Sequence, residues 1–186
     1  MDLLPFTDAH AVTVAGRPSA QEAPLWCGRR EFPVPARTIT DRQRDEDARA
    51  HVLVEDEEPV GHGEPWFDAE EDEIELARII VAPAVRGRGL GRVLVRRLLA
   101  QALGAGLHDV FLRVHPDNGT ALRRYRSARF VPVDTDLAES GNEAQPVDHV
   151  RLRHDTEASG TRADAPPHMR TRCESQQQVP GPLHET

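Results

Sequence analysis

The chain has 186 residues, a formal net charge of −8 and a hydrophobic fraction of 38%, which is typical of one soluble domain with a proper core. The negative charge argues against a nucleic-acid partner, and the absence of a long apolar run or a basic-then-apolar start makes us expect neither a membrane partner nor a signal peptide. Cys27 and Cys173 have no C-x-x-C or His-rich neighbourhood, so we expect no metal site and a cytoplasmic protein with reduced thiols.

The first fifty residues give the weakest structural signals. Residues 3–6 favour a short first strand. A helix is predicted over 19–26, with Ser19 as its N-cap and Glu22 three residues later completing a capping box. A short polar helix is predicted from Thr40 or Asp41 through residue 50.

A hairpin follows. Apolar residues over 51–54 and 60–64 flank an acidic turn, which predicts two antiparallel strands. A second acidic turn leads to an apolar, β-branched strand over 74–81 that returns antiparallel to the middle strand. Trp66 and Phe67 end that middle strand and are either core residues or the wall of an acceptor pocket, with core favoured.

A glycine-rich turn joins this strand to a helix. The turn consists of Arg86, Gly87, Arg88, Gly89, Leu90 and Gly91. Apolar residues at helical spacing then predict a helix that ends at the glycines at 104 and 106. A strand that feeds such a turn places unpaired N–H groups and the positive end of the helix dipole at one point, which suits a phosphate. A dinucleotide fingerprint fails because its third glycine would be Arg92, and a Walker loop fails because the chain has no lysine.

The rest of the chain alternates strand and helix. A strand is predicted over 109–114, a helix opening at 117–120, and closing strands over 130–133 and 147–152. Residues 154–186 are rich in Pro, Gln, Ser and Thr with few apolar residues, so we expect a disordered C-terminal tail.

Two motifs in this order resemble the GNAT-type N-acetyltransferases. The first is R-x-x-G-x-G between a strand and a helix. The second is N-x-x-A-x-x-x-Y-x-x-x-x-F, here Asn118, Ala121, Tyr125 and Phe130. The resemblance is specific over 75–130 and extends over a domain of residues 1–153. It implies an α/β (α+β) acyl-CoA N-acyltransferase fold, a twisted and mostly antiparallel sheet flanked by helices.

One position departs from the second motif. A glycine normally precedes the Phe, and here that position is Arg129. A non-glycine residue in a left-handed helix end costs about 1 kcal/mol. We therefore expect this helix end to be reshaped or strained, with the fold unaffected.

The resemblance also implies a cofactor and the residues that bind it. The cofactor is acetyl-CoA, with no metal. Its pyrophosphate would lie on the glycine-rich turn, and its pantetheine arm and carbonyl would pair with the backbone of a strand that splays from its neighbour. The residues expected to bind it are Ile79, Ile80, Val81, Arg86, Gly87, Arg88, Gly89, Leu90, Gly91, Arg92 and Asn118.

Two catalytic roles follow from the same resemblance. Tyr125, the only tyrosine in the chain, would donate a proton to the leaving thiol. Glu75, eleven residues before Arg86, matches the base of histone-type members; Glu64, His62 or water remain alternatives. Members that acetylate protein N-termini carry a Glu on the next strand, where this chain has an arginine, Arg113, which argues against that subclass.

The charge distribution agrees with an amine acceptor. Residues 55–75 contain eleven acids and no arginine, and residues 86–97 contain five arginines and no acid. The first region suits an amine and the second an anionic cofactor, although such runs are more often solvated faces.

We therefore expect acetyl transfer from acetyl-CoA to a primary amine by direct attack in a ternary complex. Two other hypotheses stay open, a non-catalytic CoA-binding sensor or assembly module of the same fold and a nucleotide or nucleic-acid binder. The expected partners are a small-molecule or peptide amine and, as an open alternative, a second copy of the chain. The identity of the amine is not readable from the sequence.

Overall fold

The structure is a computed structural model that describes residues 1–28, 30–107, 109–143, 145 and 147–155. The described residues belong to one compact unit, Met1–Asp155. The predicted disordered tail lies outside the described residues from position 156 onward, and its first residue, His154, ends the last strand.

The described residues form a seven-stranded sheet. Its strands are β1 (Asp2–Pro5), β2 (His51–Glu55), β3 (Glu58–Asp68), β4 (Glu73–Val81), β5 (Asp109–Val114), β6 (Phe130–Pro132) and β7 (Val150–His154). The spatial order is β1-β2-β3-β4-β5-β7-β6. Each neighbouring pair is antiparallel except β4 and β5, which run parallel. The predicted fold class, a mostly antiparallel sheet flanked by helices, is confirmed.

Six α-helices lie among the described residues. They are α1 (Ala11–Ala15), α2 (Ala23–Cys27), α3 (Arg37–Thr40), α4 (Leu90–Gly104), α5 (Gly119–Ser127) and α6 (Thr135–Asn142). Short 3₁₀ turns occupy Asp8–His10, Asp41–Arg44 and Pro83–Val85. In the part of the chain that the structure describes, every helix is too short or too polar to cross a membrane.

The sheet has a separate core on each face. On one face Ile74 and Leu76 of β4 pack with Leu94 and Leu98 of α4, and all four are buried. On the other face the short helices α1 and α3 contribute to a smaller cluster with β2. Because successive strand residues point to opposite faces, the residues of β4 between the apolar ones face the N-terminal helices.

The hairpin follows the sequence prediction, whereas the N-cap of α2 is Glu22 rather than the predicted Ser19. The β2–β3 turn consists of two residues with positive φ, Asp56 and Glu57. Before α2, the Ser19 N–H donates to Oε2 of Glu22 at 2.9 Å, and the Glu22 N–H donates to Oγ of Ser19 at 3.3 Å. The predicted capping box is therefore present, although the helix itself begins only at Ala23.

One helix prediction was wrong, and one helix was missed. The polar helix expected through residue 50 ends at Arg44, because Ala48 pairs with Trp66 of β3 and draws the following chain into the sheet. The helix α6 was not predicted at all. Its N-cap is Asp134, whose Oδ1 accepts from the Leu137 N–H at 2.9 Å.

Arg129 adopts the left-handed conformation that the family motif assigns to glycine. Its φ is +70°, and its N–H donates to the Arg126 carbonyl at the end of α5. The helix end therefore keeps the geometry of a glycine terminus while carrying a side chain, and the strain expected from the sequence is located at this residue.

Candidate active site

The parallel strands β4 and β5 are paired only where β4 begins. Their ladder joins Glu73 to Asp109, Ile74 to Val110 and Glu75 to Phe111, and among the described residues it ends there. On its other edge β4 stays paired with β3 as far as Val81. The edge of residues 79–81 that faces β5 therefore borders a cleft, which agrees with the splay expected from the sequence.

A bulge in β4 lies at Arg78, three residues beyond the last residue that pairs with β5. Arg78 has a φ of +47°, and the register with β3 shifts by one residue between His62 and Glu64. The Nε1–H of Trp26 donates to the Arg78 carbonyl at 2.7 Å, and Nη1 of Arg78 donates to the Thr38 carbonyl at 3.1 Å. These bonds offset the roughly 1–2 kcal/mol cost of a left-handed arginine and fix the bulge against the N-terminal helices.

The β4–β5 cleft encloses a cavity of about 350 Å³. Seven of the predicted cofactor and catalytic residues line it: Ile79, Ile80, Val81, Arg86, Gly91, Asn118 and Tyr125. The structure adds residues that the sequence reading did not assign to the site, among them Glu22, Leu25, Trp26, Thr120 and Arg124. The cleft therefore combines β4, the start of α4, α5 and the segment at α2.

A second cavity, of about 260 Å³, lies over the glycine-rich turn. Of the predicted residues, Val81, Arg86, Gly87, Gly89, Leu90, Gly91 and Arg92 line it, together with Arg124. Gly87 and Gly89 have φ values of +84° and +82°, which a side chain would strain. Gly89 is the N-cap of the fifteen-residue helix α4, so the turn presents unpaired N–H groups and a positive helix end to this cavity.

The arginines of the turn have different partners. Arg86 pairs with Glu22 at 2.6 Å, and its Nε donates to the Val81 carbonyl at 3.1 Å. Arg88 instead pairs with Glu55 of β2 at 2.9 Å and does not line either cavity. Burial raises the pKa of Glu22, but the Ser19 N–H and the Arg86 guanidinium outweigh it and hold the pKa below its usual value. Glu22 is therefore ionised and pairs with Arg86, the first arginine of the turn.

Asn118 and Tyr125 reach the cleft from α5. Oδ1 of Asn118 accepts from the Ala121 N–H at 3.1 Å, so Asn118 is the N-cap of this helix. Tyr125 lies two turns further along, with its ring edge-on to Phe130 at 6.2 Å. Burial raises the pKa of Tyr125 to about 12, so its hydroxyl stays protonated at neutral pH.

Glu75 lies in a different cavity from Tyr125. Since its neighbours Ile74 and Leu76 point toward α4, Glu75 faces the other side of the sheet. Nε of Arg113 donates to both oxygens of Glu75, at 2.9 and 2.8 Å, and Nη2 donates as well. The structure thus brings the predicted base to the start of the splay but ties it to the arginine of the next strand.

The cavity beside Glu75, about 230 Å³ in volume, is lined mainly by charged side chains, and we call it the mixed-charge cavity. Its walls are Arg42, Asp47, Trp66, Phe67, Asp68, Glu73, Glu75, Arg113, Gly141 and Arg151. Arg151 donates to Glu73 at 2.6 Å, and Arg42 pairs with Asp47 at 3.3 Å. Burial raises the pKa of Glu73 despite the opposing effect of Arg151. No cluster of His, Cys, Asp and Glu able to hold a metal occurs among the described residues.

A family model described as "Acetyltransferase (GNAT) family" matches residues 18–130 of this chain. The chain belongs to the GNAT family. The matched segment begins just before the Ser19 turn and ends at Phe130, so it contains both motifs and most of the β4–β5 cleft.

Individual relatives share parts of this chain. It is 48% identical over 58 residues to the N-alpha-acetyltransferase RimI of Mycobacterium tuberculosis. These 58 residues make up 31% of this chain and 35% of that protein. The chain spans about a third or less of the length of the curated relatives it matches.

Solved structures share the fold more widely. AAC(6')-Ib in complex with ribostamycin and coenzyme A aligns with a TM-score of 0.68 at 17% identity, covering 88% of this chain and 98% of that one. The spermidine N-acetyltransferase of Vibrio cholerae with CoA and spermine aligns with a TM-score of 0.64 at 17% identity, covering 82% and 92%. At 17% identity, this structural similarity shows that the GNAT fold is shared.

The alternative bases of this GNAT domain, His62 and Glu64, are fully buried. Glu64 accepts from Nε2 of His62 at 3.1 Å and from Nε1 of Trp66 at 2.9 Å, and Arg78 lies 3.5 Å away. Burial lowers the pKa of His62. Burial raises the pKa of Glu64, but His62 and Arg78 outweigh it and lower that pKa overall. The pair lies behind the bulge, and neither residue lines the β4–β5 cleft.

Of the lining residues that sequence reasoning missed, Thr120 and Arg124 lie within the second GNAT motif, and most of the others come from segments outside both motifs. Glu22 and Trp26 were seen only as parts of a predicted helix. Arg124 carries a usable signal, since it precedes Tyr125 on a helix already assigned to the cofactor. Arg151 and Gly141 had no such signal. Gly141 lies on α6, which was not predicted, and Arg151 lies on a strand outside both motifs.

Proposed function

We propose that this GNAT protein transfers an acetyl group from acetyl-CoA to a primary amine by direct attack in a ternary complex. The observation that carries the proposal is the end of the β4–β5 ladder at Glu75 and Phe111. It leaves one edge of residues 79–81 beside a cleft that Tyr125 and the glycine-rich turn also line. A backbone edge and a phosphate loop in one cleft suit a ligand with an amide-bearing arm and a pyrophosphate.

The charges of the cleft support a polyanionic cofactor. Arg86 and Arg124 line both of its cavities, and Arg92 lines the one over the turn. Guanidinium groups and helix N-terminal N–H groups are the usual partners of phosphate oxygens in proteins. We assign the pyrophosphate to Gly87, Gly89 and these arginines, with Asn118 contacting the arm.

The chemistry requires a nucleophile, a proton acceptor and a proton donor. Acetyl-CoA supplies a thioester carbonyl. The neutral amine attacks this carbon, so a C–N bond forms and the C–S bond breaks. The Tyr125 hydroxyl, which stays protonated because its pKa is about 12, gives its proton to the departing sulfur. Backbone N–H groups of residues 79–81 are the candidates for stabilising the oxyanion.

We assign Glu75 as the acceptor of the amine proton, directly or through a water. This assignment requires the amine to arrive from the mixed-charge cavity, because Glu75 lines that cavity. The arrangement puts the thioester and the amine on opposite sides of the splayed strands, and the two would meet at the gap that begins after Glu75.

Thermal unfolding with and without acetyl-CoA tests the cofactor assignment. At about 100 times its dissociation constant, a ligand that binds only the native state adds about 2.7 kcal/mol of stability. We expect acetyl-CoA to raise the midpoint and ATP and NAD to leave it unchanged. No shift at saturating acetyl-CoA, or an equal shift with ATP, would refute the assignment.

Tyr125→Phe separates an enzyme from a non-catalytic CoA-binding module. General acids typically contribute about 10²–10⁴-fold to a rate. We expect thiol release in the presence of an amine to fall by about 10²-fold or more, with the acetyl-CoA shift in unfolding retained. A wild-type protein that binds acetyl-CoA but acetylates no amine would favour the module.

A further inference from the structure

Each carboxylate that lines the mixed-charge cavity already has a hydrogen-bond or ion-pair partner. Three of its carboxylates, Glu75, Glu73 and Asp47, each accept from a different arginine. The fourth, Asp68, accepts from the N–H groups of Glu70 and Glu71 at 3.1 Å each. A purely cationic ligand would have to displace guanidinium groups from these carboxylates before it could pair with them.

The aromatic walls also already contact guanidinium groups. The guanidinium of Arg42 lies 4.4 Å from the centre of the Trp66 ring, and that of Arg78 lies 5.7 Å from it. Arg49 lies 4.5 Å from the centre of the Phe67 ring. Since cation–π recognition needs a free ring face, an ammonium group would compete with these guanidinium groups for the two rings. The cavity therefore differs from a polyamine site in both its carboxylates and its aromatics.

The arginines, in contrast, keep donors for an anion. A guanidinium has five N–H donors. Arg151 donates to Glu73 through Nη2 and reaches the Leu137 carbonyl through Nη1 at 3.5 Å. Arg113 donates to Glu75 through Nε and Nη2. Each guanidinium therefore has N–H groups beyond those that bind its carboxylate.

Arg151 is held in place from two sides. Its guanidinium carbon lies 4.2 Å from the centre of the Phe111 ring. On α6, a Cβ added to Gly141 would lie 3.0 Å from Cδ and 3.1 Å from Nη1 of Arg151, so the absence of a side chain there makes room for the arginine. Only 13% of the Arg151 side chain is exposed. A fixed, poorly hydrated guanidinium pairs strongly with a planar anion such as a carboxylate.

The size of the cavity restricts the ligand further. Its volume of about 230 Å³ is below the ~300–1,000 Å³ of sites for drug-sized molecules. A ligand that bears one amine and one carboxylate a few bonds apart fits this volume. It also leaves no charge of the cavity unpaired, because its carboxylate meets Arg151 and Arg113 while its amine meets Glu75.

We infer that the acceptor is a small amino acid type of molecule, an amine that carries a carboxylate, and that Arg151 is the main contact for this carboxylate. The inference rests on the proposed function, because Glu75 must face the amine to remove its proton. The reaction then yields an N-acetylated amino acid and free CoA thiol, with the amine proton passing to Glu75.

The test compares each amine with and without its carboxylate. Thiol release from acetyl-CoA is measured with the common amino acids and β-alanine, with the carboxamide of each, and with spermidine and an aminoglycoside. We expect kcat/KM for the best amino acid to exceed that of its carboxamide by at least about tenfold, as loss of one charge-assisted bond predicts. At neutral pH the less basic amine of the carboxamide has the larger neutral fraction, so amine ionisation alone would favour the carboxamide over the carboxylate.

A matched pair of variants assigns the preference to Arg151. The double variant Arg151→Gln, Glu73→Gln removes both charges of one ion pair, so the net charge of the cavity stays unchanged. We expect it to reduce the ratio between amino acid and carboxamide by about tenfold, whereas a merely structural loss would lower both rates equally. Arg153→Gln is the control, since Arg153 lies on the same strand, is 43% exposed and faces Asp109 at 3.8 Å.

The outcomes separate the inference from the proposed function. Equal or faster acetylation of carboxamides, spermidine or the aminoglycoside overturns the inference and leaves acetyl transfer supported. Binding of acetyl-CoA without acetylation of any amino acid in the set also overturns it. Failure to bind acetyl-CoA removes the proposed function itself.

Discussion

The β4–β5 cleft and the mixed-charge cavity share the strand β4 but are built in opposite ways. The cleft takes much of its wall from two continuous stretches, residues 79–92 and 118–125, and offers backbone groups and arginines. The mixed-charge cavity takes single side chains from positions between 42 and 151, and its carboxylates are matched by arginines or by turn N–H groups.

On the proposed function, this difference matches what each region would recognise. A pyrophosphate on a flexible arm can be held by a turn and a strand edge, which depend on local backbone conformation. An acceptor is distinguished by the placement of a few side chains, which depends on the packing of distant segments. Changes in the first region should therefore alter cofactor affinity, and changes in the second should alter which amine is used.

The largest effect is expected from a change at Glu64, because this residue contacts both regions. It accepts from Trp66, a wall of the mixed-charge cavity, and lies 3.5 Å from Arg78, the bulge of the cleft. Breaking a buried ion pair by removing one partner typically costs about 3–5 kcal/mol. We expect Glu64→Gln to lower the free energy of unfolding in urea by about 3 kcal/mol, while Glu70→Gln in the exposed turn changes it little. A loss below about 1 kcal/mol would show that the two regions are supported independently.

Glu75→Gln removes the proposed base and leaves the cofactor turn untouched. We expect kcat to fall by about 10²-fold or more, equivalent to about 2.7 kcal/mol of barrier, with acetyl-CoA binding unchanged. Steady-state kinetics with the best acceptor measures this, and Glu71→Gln on the exposed turn is the control. An unchanged kcat would assign proton removal to water and leave Glu75 as the partner of Arg113.

Gly89→Val tests the cleft alone. Gly89 has a φ of +82°, and a left-handed L-residue costs roughly 1–2 kcal/mol, with more expected for a β-branched one. We expect acetyl-CoA affinity to fall by about tenfold or more in isothermal titration, with the preference among acceptors unchanged. Gly104→Ala, in the last turn of α4, is the control and should bind normally. Normal binding by the Gly89 variant would contradict the assigned role of the turn.

Arg129→Gly sharpens the comparison by changing stability without changing either region. Replacing a left-handed arginine at φ +70° by glycine should raise the free energy of unfolding by about 1 kcal/mol. Arg129→Ala keeps the left-handed Cβ and serves as the matched variant. If both variants gain the same stability, the effect comes from the arginine side chain and the helix end is not strained.

Glu22→Gln gives the smallest effect, at the cofactor end of the cleft. The carboxylate of Glu22 occupies Arg86 at 2.6 Å, so it competes with a phosphate for the same guanidinium. Exposed ion pairs are worth about 0.2–1 kcal/mol, and we expect acetyl-CoA to bind up to about fivefold more tightly. Glu31→Gln, which breaks an exposed pair with Arg37 at 3.1 Å, should leave the affinity unchanged. Weaker binding by the Glu22 variant would mean that Glu22 orients Arg86 for the ligand.

The part of the molecule that sequence reading predicted well is the part made by local rules. Runs of apolar residues predicted β4 and β5, and glycines at 87 and 89 predicted a turn that does adopt positive φ. The spacing from Asn118 to Tyr125 placed both on the wall of the cleft. Each of these predictions depends only on neighbours within about two helical turns or one strand.

The part that could not be predicted depends on contacts between distant segments. Arg113 pairs with Glu75 across thirty-eight positions, and Arg151 pairs with Glu73 across seventy-eight. Neither pair has a local signature, so Glu75 was predicted as a base without its partner. Likewise Arg88 has the spacing of a phosphate contact, but the end of β2 brings Glu55 within 2.9 Å of it.

The bulge at Arg78 also changes how β4 can be altered. Before it, the even-numbered residues Ile74 and Leu76 point toward α4; after it, the odd-numbered Ile79 and Val81 belong to that same core. Because of this one extra residue, the even-numbered side chains face α4 before the bulge and the odd-numbered side chains face it after the bulge. Deleting the extra residue at the bulge would leave one regular alternation in which Ile79 and Val81 still face α4. Deleting one residue between the bulge and the glycine-rich turn would instead exchange the faces of the residues on one side of the deletion. We therefore expect a single-residue deletion to preserve the faces of β4 only at the bulge, and changes elsewhere in this half of the strand to preserve them only in pairs.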